Sequence, residues 1–335
     1  MPTADLTQSV WDLDTDEFPS TGDIEEQATF LLRYAILAPS SHNSQPWEFR
    51  VTGNEIDVGA DESRWLEAAD PEKRELYISV GCALENLCIA AEHFGFDPQI
   101  AYHGPNNADY VATVTLLDDA EVSTSRPSEL FGALTTRYTS HEPFENRLLG
   151  DGIYEKLKAL VVEDDVSLHL VDNSDIKTAI SELQVEADRL LMEDPAYRKE
   201  LGHWIGLGAL GSSWLMARIG QAVVTHLDIG DREAKKNSTL IESAPVLGVL
   251  TAASDDSTAQ VRTGQAFERV ALLATTDGVA VHPMSQTLER PELRARLGEL
   301  LDTAGVPQHL FRLGYTDEAA EHTPRWPLET FLDDE

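Results

Sequence analysis

One almost wholly apolar helix is written twice in this chain, and that repetition narrows what the chain can fold into. The first copy is Gly81-Cys82-Ala83-Leu84-Glu85-Asn86-Leu87-Cys88-Ile89-Ala90-Ala91. The second is Gly264-Gln265-Ala266-Phe267-Glu268-Arg269-Val270-Ala271-Leu272-Leu273-Ala274. Gly81, Ala83, Glu85, Ala91 and Gly95 match Gly264, Ala266, Glu268, Ala274 and Gly278 at identical offsets. Leu84 aligns with Phe267, Leu87 with Val270 and Ile89 with Leu272. Helices this apolar are buried on most sides. Their small residues allow close approach, one helix from each half, as at a dimer interface. The pattern therefore predicts internal duplication.

Other signals place elements around these helices. Asp23 with Glu26 has capping-box spacing, and Ile24, Ala28, Leu31, Ala35 and Ala38 then form one apolar helix face. Arg33 lies on another face and suits a structural salt bridge. Trp47–Val51 reads as a strand, and Gly53-Asn54 as a hairpin into Ile56–Val58. Asp70-Pro71 opens a helical region, Tyr110–Leu117 alternates as a strand, and residues 118–129 read as a linker. A short helix over Glu129–Arg137 opens the second half. The expected organisation is an acidic arm over 1–22, tacked down by Trp11 and Phe18, a first half over 23–125 and a second over 126–335. Inserted material at 195–235, centred on Leu201–Gly220 with Trp204, Trp214 and five glycines, leaves two readings: a helical hairpin on the core, or a lid.

Between the first helix and the Trp47 strand lies Ala38-Pro39-Ser40-Ser41-His42-Asn43-Ser44-Gln45-Pro46-Trp47. Pro39 cannot continue the helix, and Pro46 is expected to hold Gln45 extended. Six polar residues are thus pinned between apolar elements, which suits a loop that holds something polar. This stretch resembles the signature loop of the nitroreductase family, flavin enzymes that bind FMN between two subunits. The flanking helix and the later segments are most similar to its long-chain, Acg-type branch, in which one chain carries two nitroreductase-like halves. The resemblance implies an α+β fold, nitroreductase-like and duplicated into a pseudo-dimer, so that a monomer mimics a dimer.

It also implies site residues. Arg137-Tyr138-Thr139-Ser140-His141 resembles the family element that grips the flavin phosphate, with Arg137 and Thr139 in matching positions and His141 where a second basic residue is usual. Arginine suits a phosphate because its planar fork donates two parallel hydrogen bonds. Arg325, in Thr323-Pro324-Arg325-Trp326-Pro327, resembles the family's closing basic segment, held extended as a strap by its prolines. Pro283, Met284, Ser285 and Gln286 would lie along the ring, with the amide of Ser285 near N5. Pro39, Ser40, Ser41 and Asn43 would close the other side; Gln45 either joins them or holds the loop. By resemblance the activity is an FMN-dependent oxidoreductase taking hydride from NAD(P)H and reducing a nitroaromatic or quinone acceptor, with no side-chain acid or base required. A flavin-sequestering role under a lid is the alternative.

Composition bounds the partners. Of 335 residues, 42% are hydrophobic, ample for a packed core. Fifty-nine acidic against 25 basic residues leave a net charge of -34, spread along the chain. Such an acidic surface is of the kind found in halophilic, salt-accumulating cells. It repels nucleic acid and anionic lipid, so neither is an expected partner. Cys82 and Cys88 cannot easily bridge and cannot make a four-ligand zinc site, which suggests a reducing compartment. No basic and apolar leader follows Met1, and no apolar run reaches the ~20 residues of a membrane helix, so a cytoplasmic location is expected. Gly206-x-Gly208-x-x-Gly211 matches G-x-G-x-x-G in form but follows no convincing strand.

Overall fold

A computed structural model describes residues 6–104, 110–118, 126–211, 220–222, 224–225, 230–317 and 321–333. The linker expected at 118–129 and Trp214 of the inserted segment lie largely outside the described residues. The elements of the first half are α1 (Ile24–Ala35), β1 (Trp47–Thr52), β2 (Glu55–Ala60), α2 (Arg74–His93), β3 (Phe96–Tyr102) and β4 (Ala112–Asp118). Those of the second are α3 (Glu129–Ala133), α4 (Ile153–Ala159), β5 (Val166–Val171), α5 (Ser174–Glu193), α6 (Pro195–Gly206), α7 (Gly230–Ser243), β6 (Val246–Ala252), α8 (Ser257–Thr276), β7 (Ala280–Pro283), α9 (Pro291–Leu300) and β8 (Val306–Gly314).

The elements start and stop where local chemistry dictates. Asp23 accepts from the Glu26 backbone and the Glu26 side chain from the Asp23 backbone, so the capping box is complete. Gly53, at a φ of 59°, makes the β1–β2 turn in the left-handed region that a glycine enters without strain. Asp70 Oδ2 accepts from the Leu76 N–H at 3.0 Å and so caps the first turn of α2. The helical region from Arg74 and the apolar repeat prove to be one continuous helix. The helix expected over Glu129–Arg137 stops at Ala133 and passes into turns that end with the Arg137 N–H on the Ala133 carbonyl, two residues before an isolated bridge between Thr139 and Val281.

Each half contributes one antiparallel four-stranded sheet, ordered β1-β2-β4-β3 and β5-β6-β8-β7. The orders are the same when each half is counted from its own first strand, which is the duplication seen in three dimensions. The two copies meet through α2 and α8. A Cβ built on Gly81 would fall 2.0 Å from the Val261 carbonyl oxygen, and one on Gly264 2.1 Å from that of Ile78. Backbone therefore lies against backbone, which only glycine permits on both sides. The largest apolar core runs through this contact, joining Leu84 and Leu87 to Phe267 and Val270.

The chain ends are exchanged between halves. The backbone of Phe49 in β1 bonds Phe331 and Asp333, so the C-terminal strap returns from the second sheet to the first. Thr7 and Arg325 exchange backbone hydrogen bonds, and Trp11 stacks on His322 at 4.0 Å. Phe18 stacks on Phe94 at 4.3 Å, and Arg33 bonds Glu17 at 2.9 Å, as the arm and helix reading required. Among the described residues, no helix is long and apolar enough to cross a membrane.

Overpacking at the helix crossing cannot be relieved by a rotamer change, because the obstructing atoms are backbone. Gly264→Ala is expected to cost about 1–3 kcal/mol or more, read as a lower urea midpoint at unchanged slope. Substitution at exposed Gly132, where nothing lies within 4 Å, should change the midpoint far less.

Candidate functional site

The Pro39–Gln45 loop is built from backbone conformations that side chains ordinarily avoid. His42, Asn43 and Gln45 all have positive φ, at 52°, 53° and 52°. Each such residue costs about 1–3 kcal/mol unless its surroundings hold it. The holding contacts are visible. Asn43 Nδ2 donates to the carbonyls of Ala209 and Pro324, both at 2.8 Å. The Gln45 N–H donates to Ser40 Oγ at 2.9 Å, its Nε2 to the Asn43 carbonyl at 3.1 Å, and its Oε1 accepts from the Trp326 N–H at 3.0 Å. Gln45 is therefore not extended as Pro46 suggests. Three hydrogen bonds, one to a strap far along the chain, outweigh the local preference.

Two buried arginines converge on the base of this loop, where α1 ends. Arg325 donates from Nε to the Ile36 carbonyl at 3.2 Å and from Nη2 to those of Leu37 and Ala38 at 3.2 and 3.0 Å. Arg137 Nη2 donates to the Leu37 carbonyl at 3.1 Å, and its Nε lies 3.4 Å from Glu268 Oε1. The carbonyls at a helix C-terminus have no intrahelical partners and carry partial negative charge, which suits cations. Burial, with the charge of Arg137 added, still lowers Arg325 to about 9, while Glu268 pulls it back up. Nη1 of Arg325 is spent on Thr323, so what this residue has left for an anion is mainly its charge.

Glu268 sits beneath the pair on α8. With its amide oriented to satisfy its neighbours, Asn86 of α2 donates to Glu268 Oε1 at 2.9 Å and accepts from the Ala38 N–H at 3.2 Å. Burial raises Glu268 to about 7 despite Arg137, and its Oε2 has no hydrogen-bond partner. Two cations thus face one partly ionised acid, and an anion would restore the balance.

The remaining segments approach from the second sheet. Thr139 bridges Val281, and the Ser140 N–H donates to the Val281 carbonyl at 3.3 Å, which lays the Arg137–His141 run beside β7. His141 is exposed, its ring 4.6 Å from that of His282. Burial, with His141, Arg312 and Lys236 nearby, holds His282 well below the ordinary range, and its Nδ1 accepts from Arg312 Nε at 2.9 Å. Met284 is buried and its N–H bonds the Leu310 carbonyl. Ser285 opens a short 3-10 turn through Glu289, so its N–H has no partner within that turn. Gln286 Oε1 accepts from Gln184 of α5 at 2.8 Å. Among the described residues, no hydrogen bond joins Pro39–Asn43 directly to Pro283–Gln286; Arg137 bonds Leu37, just before the loop, and Thr139 bridges Val281, just before Pro283.

A second polar group lies under the loop. Ser41 Oγ donates to Glu75 Oε2 at 2.7 Å, and Glu75 pairs with Arg74, which also bonds the Gln308 carbonyl. Burial works against the Glu75 charge, but Arg74, His309 and Ser41 together hold its carboxyl below the usual range. Over the loop lies α6. Tyr197 packs edge-on to His42, Trp204 meets Trp326 at 6.4 Å, and Glu200 accepts from the N–H groups of Ala68 and Ala69, both at 3.0 Å. Burial lowers His42 to about 4, so it is neutral under this cover. The glycines at 206, 208 and 211 end α6 rather than follow a strand.

Asn86, Glu268 and Glu75 are absent from any sequence reading of the site. A signal existed for Asn86 and Glu268: each is a polar residue within the near-apolar repeat, and charged or amide side chains are rarely buried unless paired. The pH dependence follows from Glu268. Its folded value of about 7 exceeds the ordinary 4.5, so its contribution to stability is complete below pH 4.5 and is lost as pH rises through 7. Burial raises Asp70 to about 7 as well, so it loses stability over the same range. Glu268→Gln should therefore remove a loss on the order of 3 kcal/mol between pH 4.5 and 8, making the fall of melting temperature with pH shallower without abolishing it.

No family model matches the chain. Among curated proteins of Mycobacterium tuberculosis, "Putative NAD(P)H nitroreductase Rv3131" is 26% identical over 314 residues, 90% of this chain and 89% of that one. "Putative NAD(P)H nitroreductase acg" is 25% identical over 312 residues, 89% of this chain and 92% of that one. "Uncharacterized protein Rv3127" is 26% identical over 320 residues, 90% and 92% of the two chains. Among solved structures, the FMN and NADPH-dependent nitroreductase NfnB from sphigopyxis sp. strain HMH overlays with a TM-score of 0.45 at 16% identity, over 62% of this chain and 98% of that one.

Proposed function

This chain is a homologue, along nine tenths of its length, of proteins named for the nitroreductase family, and from that premise we propose that it is an FMN-dependent NAD(P)H oxidoreductase. The observation that carries the reading is the convergence of Arg137 and Arg325 on the carbonyls at the base of the Pro39–Gln45 loop. Three segments distant in sequence share one seam, and its surplus positive charge fits a phosphate. FMN, when bound, supplies the two-electron chemistry that links NAD(P)H to a nitroaromatic or quinone acceptor.

The residues of this chain bind and orient. Arg137 and Thr139 hold the phosphate end, with exposed His141 beside them. Arg325 lends charge and fixes the loop through the α1 carbonyls. Pro283, Met284, Ser285 and Gln286 form one wall of the seam. Pro39, Ser40, Ser41 and Asn43 form the other, and Gln45 holds their conformation rather than facing the cofactor. Asn86 sets the depth of the seam by tying α2 to α8 and to Ala38.

Purified protein should carry the yellow absorbance of bound flavin, bleached by NADH or NADPH and restored by a quinone. Charge-assisted hydrogen bonds contribute about 1.5–3 kcal/mol, so Arg137→Ala should weaken FMN binding roughly 10- to 150-fold by fluorescence titration. Flavin-loaded protein that never bleaches with either nucleotide would count against turnover.

The seating of α6 favours a second reading, in which the flavin is stored beneath a lid. Tyr197 and Trp204 pack α6 against the loop and strap, and Glu200 ties it to Ala68 and Ala69. In that case a reductant that bleaches free FMN should leave the bound form oxidised. Combining Tyr197→Ala with Trp204→Ala should then restore reduction. Equal reduction rates before and after these changes would remove the lid from the account.

A further inference from the structure

The duplication creates a second seam, related to the first as one copy is to the other. In the first half, the segment from α1 to β1 carries the Pro39–Gln45 loop. Its counterpart from α4 to β5 is Leu160-Val161-Val162-Glu163-Asp164-Asp165. Glu85 occupies in α2 the position Glu268 has in α8, and Arg269 stands where Asn86 stands in the other copy. Arg269 Nε donates to the Leu160 carbonyl at 2.8 Å, so in this copy the residue in the Asn86 position makes the arginine–carbonyl bond that Arg137 makes to Leu37 in the other. Here the seam opens into a cavity of about 430 Å³ whose polar lining includes Arg126, Arg262 and Arg269 facing the loop carboxylates of Glu163, Asp164 and Asp165.

Three guanidinium groups thus gather at a place equivalent to the one that fits an anion, but each meets a carboxylate. Arg126 Nε and Arg269 Nη1 bond Glu85 at 2.8 and 2.9 Å. Arg126 Nη1 also bonds Glu92 at 2.8 Å. Arg269 Nη2 bonds Glu163 at 2.5 Å, and Arg262 Nη1 bonds Asp165 at 3.1 Å while its guanidinium covers the Tyr102 ring at 4.8 Å. Glu85 and Glu92 belong to the helix core, as Glu268 does on the other side. Glu163 and Asp165 come from the loop, in place of the serines and asparagine of the first copy. Glu163 is nine-tenths buried, and among the described residues its Oε2 has no hydrogen-bond partner.

We infer that this second seam is a latent site for a phosphate-type oxyanion, held shut by Glu163 and Asp165, which stand as built-in carboxylates where the anion would bind. The chain would then take one anionic cofactor, in the first seam, because the second already holds its own negative charge. The inference rests on the duplication and the ion pairs and does not require that the first seam bind FMN.

The test uses the full chain and inorganic phosphate. Glu163→Ala with Asp165→Ala is compared with the unmodified chain, each also carrying Arg137→Ala so that the first seam contributes equally little. At 50 mM phosphate, against chloride at matched ionic strength, the double variant should gain about 2–4 °C in melting temperature and its parent nothing. Adding Arg262→Ala should abolish the gain. A folded double variant without a phosphate-specific shift would overturn the inference. So would a shift already present in the parent and removed by Arg262→Ala, since the site would then be open. If the double variant does not fold, Asp165→Ala alone, at the more exposed pair, should give a smaller shift of the same sign, and none would refute the inference. Failure to take up FMN would remove the reading of the first seam and leave this result intact, because phosphate is the probe.

Discussion

The backbone-to-backbone crossing of α2 and α8 at Gly81 and Gly264 is the contact from which the rest of the structure follows. With no side chain between them, the helices bring the ends of both sheets close enough to share one core. The same closeness puts Asn86 within reach of Glu268 and Arg269 within reach of Glu85. Each seam is thus a consequence of the crossing: a buried acid from one helix faces a polar or basic residue from the other, and arginines from neighbouring segments settle over them.

The two seams then diverge through their loops. In one, a strained serine- and asparagine-rich turn is held open by hydrogen bonds to the C-terminal strap and to the end of α6. In the other, an acidic loop supplies carboxylates to the arginines. Electrostatics explains the difference. A chain with a net charge of -34 disfavours bound anions generally, so an anion site survives only where buried arginines exceed their acids. The first seam keeps that excess, and burying it lowers Arg325 to about 9. The second loses it to Glu163 and Asp165.

Holding such an excess has a structural requirement, which the chain ends meet. Arg325 arrives on a strap that leaves the second sheet and pairs with β1 of the first. Its Nε and Nη2 are met by the carbonyls of Ile36, Leu37 and Ala38 where the chain leaves α1, so a charge that would be unstable alone is held at a helix terminus. The same strap provides the N–H that fixes Gln45. The buried arginine, the loop geometry and the union of the halves are therefore one arrangement, not three.

Much of this was legible along the chain because it depends on neighbours in sequence. Asp23 and Glu26 fixed the start of α1, Gly53 the first hairpin, and the repeated glycines and alanines the paired helices. Pro39, with the polar run behind it, marked the loop. Other features were not legible, since they depend on partners far away. The positive φ of Gln45 is set by Trp326, and the spent donors of Arg325 by three carbonyls nearly three hundred residues earlier. The kinship of the 160–165 loop with the Pro39 loop leaves no trace in residue identity; only its place between a helix and a strand reveals it. Sequence by itself determined the periodicities, the caps and the fact of two copies, because these are local and repeating. Tertiary structure decided which charges face each other, because burial and distance set whether an arginine awaits an anion or already has one.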